Sequence, residues 1–354
     1  MQITEIPVPG YERVVKAVDA AAGLHAIIAI HDTTLGPALG GLRMWPYANE
    51  QEALTDVLRL SKGMTYKSAV AHTGLGGGKA VILGDPSRKS EALYLAMGRF
   101  IDSQGGKYVT AEDVNTSIAD LQIVRRATRW VTGLDRKDGG SGNPSPYTAY
   151  GVYLGIRAAL GQCVGSDEVK GRVVAIQGVG AVGSALARRL VEAGAKVYAA
   201  DVNHERLQKH AKEIGVIPVQ DAEVLSMACD VFAPCALGAV LNDKTIPNLR
   251  CKAVAGAANN LLHEPRHGAQ LKERGILYAP DYVINAGGII NVGCEYLPGG
   301  YDEKESLRRI ERIPKALKEL WLIAKQQGIP ASEAADHLAE QILAEARKTR
   351  PARR

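Results

Sequence analysis

The run RVVAIQ (172–177) is followed by glycines at 178, 180 and 183 in strict G-x-G-x-x-G, and then by SALARRLVEAG with the spacing of a helix. A second apolar run, KVYAAD, ends at Asp201, eighteen residues after Gly183. No other stretch restricts the fold as tightly. Strand, glycine turn, helix and acid-terminated strand make a βαβ unit of the dinucleotide-binding kind. Gly178 makes the turn, Gly180 admits a pyrophosphate to the backbone N–H groups at the helix N-terminus, and Gly183 lets helix and strand pack closely. Asp201 would accept hydrogen bonds from the adenosine ribose and repel a 2′-phosphate, so NAD is the expected cofactor. Arg206, five residues further on, leaves NADP open. The bland alternative is a Rossmann-like core without a ligand.

With 354 residues the chain exceeds one ordinary core, and two domains are expected. LHAIIAIHD (24–32) is apolar throughout, as a strand buried on both faces is. Residues 49–67 place Leu54, Val57, Leu58 and Met64 on one side of a helix. A glycine loop, the run AVIL, a helix near 90–104 and the short strand KYVTAEDV follow. The segment DRKDGGSGNPSPYTAYG (135–151) is dense in Gly, Ser, Pro and Asn and reads as a hinge. The expected architecture is α/β: an N-terminal α/β domain (1–134), a Rossmann-type NAD-binding domain (135–300), and C-terminal helices with a basic tail (301–354).

Hydrophobic content of 46% and charged content of 23% are those of a soluble globular enzyme. The net charge of +5 arises partly from the tail ARKTRPARR, which reads as a frayed, solvated end. No arginine-rich helix or aromatic-studded basic strand supports nucleic-acid binding, and no apolar run is long enough to span a bilayer. Five cysteines without C-x-x-C spacing argue against a disulfide framework and for a reducing compartment. The N-terminus lacks the apolar core of a secretory signal, so a cytoplasmic location is expected.

Two lysines, Lys67 and Lys79, stand twelve positions apart, the second after Gly76–Gly78. A phosphate loop, G-x-x-x-x-G-K-[ST], would need glycine at 73 and a hydroxyl at 80, where the chain has Thr73 and Ala80. That reading fails. What remains is a lysine on a glycine-walled turn, where a substrate can approach the backbone. HEPRH (263–267) matches a zinc-protease pattern by letter, but Pro265 and Gly268 prevent the continuous helix that pattern needs. The expectation is a helix start carrying solvated histidines, and no metal.

The blocks DTTLGPALGGLRMW, LRLSKGMTYK, GLGGGKAVILGDP, TAEDV, GSGNPSPYTAYGV, AIQGVGAVG, CDVFAPCALGAVLN, AGAANN and APDYVINAGGIINV, in this order over roughly 25–295, resemble the glutamate/leucine/phenylalanine/valine dehydrogenases, and the leucine type most. The resemblance implies NAD-dependent, reversible oxidative deamination of an L-amino acid to a 2-oxo acid and ammonia. It makes the N-terminal domain the substrate-binding and catalytic one, with a closing cleft between the two domains, in a homo-oligomer that is often an octamer. Lys67 would pair with the substrate α-carboxylate, Lys79 would be the catalytic lysine, and Asp113 the proton-transfer carboxylate. Lys79, desolvated beside a second ammonium, should have its pKa lowered toward neutrality. Asn259 would contact substrate and cofactor, Thr148 the nicotinamide amide, and Gly40 and Gly41 the substrate backbone, whereas Asn260 reads as structural.

Glutamate-specific relatives carry Lys where this chain has Leu39, and burying an unpartnered carboxylate there would be costly. Met64, Ile289 and Val292 match further apolar pocket positions. A branched aliphatic substrate is therefore expected. An aromatic one is the alternative, and a non-catalytic NAD-binding sensor the remote one. Asn115 departs from the leucine-type pattern, which has Gly just after the proposed acid.

Overall fold

The computed structural model describes residues 1–349. Its contacts divide the chain into two compact units. The first holds Met1–Asn143, Val292–Glu303 and the chain from Ala339 on; the second holds Pro144–Asn291 and Lys304–Leu338. The sequence puts boundaries at 134 and 300; the contacts divide the chain inside the 135–151 segment and assign the C-terminal helices to both units.

The first unit is built on a six-stranded mixed sheet. Its strands are β1 (Gln2–Glu5), β2 (Arg13–Asp19), β3 (Leu24–Asp32), β4 (Ala38–Trp45), β5 (Gly76–Leu83) and β6 (Tyr108–Glu112), in the order β1-β2-β3-β5-β4-β6. β1, β2, β3 and β5 pair antiparallel in succession, and β4 runs parallel to both β5 and β6. Helix α1 (Glu50–Val70) covers one face; α2 (Glu91–Asp102) and α3 (Ile118–Arg125) cover the other.

β3 shows why its sequence lacks alternation. Leu24, Ala26, Ile28 and Ile30 pack with Leu93, Met97 and Phe100 of α2, while Ile27 and Ala29 pack with Ala53 and Val57 of α1. Both faces are buried, so both must be apolar.

α1 starts at Asn49, whose side chain accepts from Glu52 N, a satisfied N-cap. Its buried stripe is Ala53, Val57, Ser61, Thr65, Ser68 and Ala69; of the expected side only Val57 lies on it, and Leu54, Leu58 and Met64 are half-buried. Small residues are required because the helix lies against glycines. A Cβ on Gly77 would fall 2.0 Å from Thr65 N, and one on Gly76 would fall 2.1 Å from Asp32 O. The glycine run is therefore strand, not the expected turn, and Lys79 emerges from the middle of β5.

In the second unit, α4 (Ser145–Val164) precedes β7 (Val173–Gln177), α5 (Ala181–Glu192), β8 (Lys196–Ala200), α6 (His204–Ile214), β9 (Ile217–Pro218), α7 (Asp221–Ser226), β10 (Ala228–Pro234), β11 (Arg250–Val254), α8 (Arg266–Glu273), β12 (Leu277–Tyr278), α9 (Asp281–Ile284) and α10 (Gly287–Gly293). All six strands are parallel, in the order β12-β11-β10-β7-β8-β9. This is a doubly wound sheet whose order reverses between β7 and β10, the place where such sheets bind ligands. The chain closes with α11 (Glu303–Ile310), α12 (Ile313–Gln327) and α13 (Ala331–Thr349).

The part of the expected frayed tail that is described is helical instead. Residues 346–349 continue α13, and Arg347 Nη2 lies 2.5 Å from the buried carboxylate of Asp32; residues 350–354 fall outside the described residues. All five cysteines are free thiols. Among the described residues, no helix is long and apolar enough to cross a membrane.

Candidate active site

Strand alternation gathers the charged groups of the first unit on the α1 side of the sheet. Leu39 pairs with Gly77, and Arg43 with Val81, which packs under α1, so Leu39, Gly41 and Arg43 share a face with Lys79. Gly41 pairs with Ala111 of β6, which puts Asp113, two residues on, in line with them. Lys79 Nζ meets Asp113 Oδ2 at 2.6 Å, and Arg43 Nε reaches the same oxygen at 3.2 Å.

The turn that presents Asp113 is tied down from both sides. Asp113 N donates to Thr116 Oγ1 at 3.0 Å, and Thr116 Oγ1 donates to Leu42 O at 2.7 Å. Asn115 has φ 58° and donates through Nδ2 to Met44 O at 3.0 Å. A left-handed backbone suits asparagine almost as well as glycine. The departure from the leucine-type pattern therefore keeps the turn and adds a tether to it.

Lys79 is only 5% exposed. Burial pushes its pKa below that of a solvated lysine; Asp113 opposes this, and Arg43 adds to it. For Asp113, burial acts upward, but the Lys79 and Arg43 cations and the Val114 N–H outweigh it and hold the carboxyl below its usual range. The pair is thus an ionised carboxylate against an ammonium that parts with its proton more easily than usual.

Lys67 and Met64 are both half-buried near the C-terminal end of α1. Leu39 is buried at 2% exposure, and Val292 is buried beside Gly133, where an added Cβ would lie 3.9 Å from Val292 Cγ2. Gly40 and Gly41 answer first to the chain itself. A Cβ on Gly40 would come within 1.7 Å of Gly78 O, and one on Gly41 within 2.6 Å of Asp113 Cβ. Tyr108 OH, meanwhile, donates to Gly40 O at 2.8 Å.

In the second unit, Gly178 has φ 94° and donates to Ala200 O at 2.7 Å. A Cβ on Gly183 would lie 2.0 Å from Gly178 O, so the third glycine is needed for helix-on-strand packing. Gly180 differs, because a Cβ there would meet nothing within 4 Å. The chain leaves that position open, as a backbone approached by a pyrophosphate must be. Asp201 Oδ2 accepts from Val179 N at 2.8 Å; its Oδ1 accepts from Asn203 N at 2.8 Å and Arg206 Nη2 at 2.6 Å. A pocket of about 590 Å³ lies here, lined among others by Gly178, Asp201, Arg206, Val202 and Leu237. Val202 and Leu237 are 82% and 79% exposed, apolar surface that a flat base would cover. These residues fit a dinucleotide.

Thr148 donates to Pro144 O at 3.1 Å and packs where a Cβ on Gly288 would come within 2.7 Å of its Oγ1. Asn259 is exposed, and its Oδ1 accepts from Asn285 Nδ2 at 2.7 Å. Asn260 has φ 53°, and its carbonyl accepts from Ala239 N. Ile289 is buried in α10.

The HEPRH segment corrects one expectation. Helix α8 begins only after Pro265, leaving His263 outside it and solvated. His267 is fully buried rather than solvated: its Nδ1 accepts from Glu264 N at 2.9 Å, and its Nε2 lies 3.3 Å from Asp243 Oδ1.

Residues 12–130 match the family model described as Glu/Leu/Phe/Val dehydrogenase, dimerisation domain; residues 139–203 and 200–350 match Glutamate/Leucine/Phenylalanine/Valine dehydrogenase. The chain belongs to this dehydrogenase family. It is 52% identical to leucine dehydrogenase of Thermoactinomyces intermedius over 341 residues, covering 96% of this chain and 93% of that enzyme. With valine dehydrogenase of Streptomyces virginiae it shares 48% over 342 residues, covering 96% and 95%. Among solved structures it resembles L-tryptophan dehydrogenase from Nostoc punctiforme, with TM-score 0.87 and 42% identity, covering 96% of this chain and 97% of that one. The protein is thus an oxidoreductase of the amino acid dehydrogenase family.

Sequence reasoning missed three contributors. Arg43 shares the Leu39–Gly41 strand face, and its period-two spacing in GGLRMW was the available signal. Asn285, 3% exposed, fixes Asn259. Glu295 accepts from Gly133 N at 3.0 Å and Ser141 N at 2.7 Å. No local pattern marked either of these two.

Proposed function

We propose that this enzyme carries out NAD-dependent, reversible oxidative deamination of branched aliphatic L-amino acids such as leucine, valine and isoleucine. The observation that carries the reading is the 2.6 Å contact between buried Lys79 and Asp113. A buried ammonium with a lowered pKa, held by an ionised carboxylate, suits proton exchange with an amine and a water.

In this mechanism Lys67 binds the α-carboxylate and fixes the α-carbon beside Lys79. Bound nicotinamide supplies the acceptor for the α-hydrogen, which leaves with its electron pair. Loss of that hydride and of an amine proton leaves an iminium ion. Neutral Lys79 takes a proton from water as its oxygen adds to the α-carbon, and the resulting ammonium, held by Asp113, returns that proton to the carbinolamine nitrogen. As the C–N bond breaks, the carbinol hydroxyl gives its proton to Asp113, which passes it to the departing ammonia, so the 2-oxo acid and ammonium are left. Gly178, Gly180 and Gly183 would hold the pyrophosphate, Asp201 the ribose, Thr148 and Asn259 the nicotinamide end. The ribose would take up acceptor capacity of Asp201 that Arg206 now shares, which favours NAD over NADP.

Buried Leu39, with Met64, Ile289 and Val292, supports an apolar side chain, because glutamate's second carboxylate would find no cation at position 39. The names of the leucine and valine relatives point the same way. An aromatic substrate is the second reading, favoured by the likeness to the tryptophan enzyme. The match of residues 12–130 to a dimerisation domain supports a homo-oligomer, for which an octamer is one form, and five free thiols suit the cytoplasm.

NADH formation from L-leucine, L-valine, L-phenylalanine, L-tryptophan and L-glutamate tests the reading. kcat/KM should be highest for leucine or valine and lowest for glutamate. A lead by an aromatic substrate overturns the substrate assignment, and silence with every amino acid overturns the reaction.

A further inference from the structure

We propose that Arg43 is the positioning residue of the proton-transfer carboxylate, a fixed cationic strut that holds Asp113 from β4 and is itself anchored by Asp56 of α1. This rests on the roles proposed above for Lys79 and Asp113.

Four observations carry it. Arg43 uses two different nitrogens: Nε lies 3.2 Å from Asp113 Oδ2, and Nη1 lies 2.9 Å from Asp56 Oδ2. Asp56 is in turn fixed by Tyr47 OH at 2.7 Å and Arg59 Nη2 at 3.1 Å. Position 41 of β4 is glycine, and a Cβ there would lie 2.6 Å from Asp113 Cβ, so the strand leaves the space that side chain occupies beside Arg43. Finally, Lys79 and Arg43 converge on one oxygen of Asp113 from neighbouring strands, which fixes its rotamer. A planar guanidinium spans two carboxylates with separate donors, whereas a lysine ammonium offers one point charge.

The strut also acts through its field. Arg43 stays charged at every working pH. It favours the ionised form of Asp113 and the neutral form of Lys79; Asp56 acts on Lys79 in the opposite sense. The other titratable groups coupled to the pair are Tyr108 and Glu112 of β6, both of which feel the Asp113 charge. Removing Arg43 therefore makes Lys79 hold its proton to higher pH, whereas neutralising Asp56 makes Lys79 release it at lower pH. Damage to packing alone does not produce shifts of opposite sign.

The test is the pH profile of kcat/KM for oxidative deamination in Arg43→Gln, Arg43→Lys and Asp56→Asn, with NADH affinity as a check on folding. The rising limb should move up by about one pH unit in Arg43→Gln, the scale of one close charge. It should move down in Asp56→Asn. kcat should fall roughly tenfold or more in Arg43→Gln, short of the ~10²–10⁴-fold cost of losing an acid–base group itself. Arg43→Lys should restore the limb but not the whole of kcat. Unmoved limbs in both Arg43→Gln and Asp56→Asn, or shifts of the same sign, overturn the proposal. If Arg43→Gln does not fold, Asp56→Asn decides alone: a downward shift supports the strut, and no shift or an upward one overturns it. A Lys79→Met control separates the two levels, because an active control removes the underlying roles, whereas an inactive control with unmoved limbs removes only the strut.

Discussion

Replacing Lys79 with methionine separates chemistry from folding. Methionine is unbranched and fills most of the same space, and the lysine side chain is only 6% exposed. Breaking a buried ion pair commonly costs about 3–5 kcal/mol, because the abandoned charge has no partner. Here Asp113 keeps Arg43 at 3.2 Å and the Val114 N–H, and burying the Lys79 charge is itself unfavourable. The expected stability change is therefore below about 2 kcal/mol. Turnover should fall by about 10²–10⁴-fold, or roughly 3–5 kcal/mol of barrier.

The pH dependence supplies a second signature. In wild type the folded-state pKa of Lys79 lies below its unfolded value, so the unfolded chain holds more protons between the two. Stability then rises with pH from the folded pKa up to about 10.4, the unfolded lysine value. Lys79→Met should lose that alkaline rise. Steady-state NADH formation and urea melts across the alkaline range measure both effects. Turnover within tenfold of wild type, or an unchanged alkaline rise, refutes the reasoning.

Two other substitutions probe different parts of the account. Asp201→Ala removes the carboxylate that Arg206 contacts at 2.6 Å and frees that guanidinium for a 2′-phosphate. The ratio of NADPH to NADH affinity, read by quenching of protein fluorescence, should rise at least tenfold, worth about 1.4 kcal/mol, and an unchanged ratio contradicts the cofactor assignment. Gly77→Ala would drive a methyl to within 2.0 Å of Thr65 N, which is backbone and cannot step aside. It should destabilise by about 3 kcal/mol or prevent folding, and a variant that melts like wild type contradicts the packing of α1 on β5.

The sequence disclosed most where one physical requirement dominates a stretch. β3 is apolar on both faces because both are buried, and its span, Leu24–Asp32, is the run the sequence marks. Gly178 and Gly180 stand between β7 and α5 as their spacing requires, while Gly183 lies within α5, which begins at Ala181 and not near Ser184. The failures arise where a residue type serves two ends. Gly76–Gly78 reads as a turn because glycine is common in turns, yet here it is strand, where Gly77 clears space for α1, Gly76 for the end of β3 and Gly78 for Tyr108. Polar Ser61 and Thr65 sit on the buried stripe of α1 for the same reason, which rotates the stripe away from Leu54 and Leu58.

The candidate site divides along similar lines. The pairing of Lys79 with Asp113 was legible through their sequence blocks. The Arg43–Asp56–Tyr47 network was not, because it joins residues whose contact depends on register between β4 and α1 and leaves no local pattern. His267 shows the reverse case, a histidine that looks solvated in sequence but is fully buried and accepts from Glu264 N just ahead of α8.

The central claim is that hydride passes directly between the α-carbon of an amino acid and the nicotinamide. L-Leucine deuterated at the α-position, turned over with NAD and analysed by mass spectrometry of the reduced cofactor, tests it most directly. One deuterium on each molecule of NADH formed, with none released to water, is the expected result. Unlabelled NADH with the deuterium in solvent would mean that the α-hydrogen leaves as a proton, and would contradict the account.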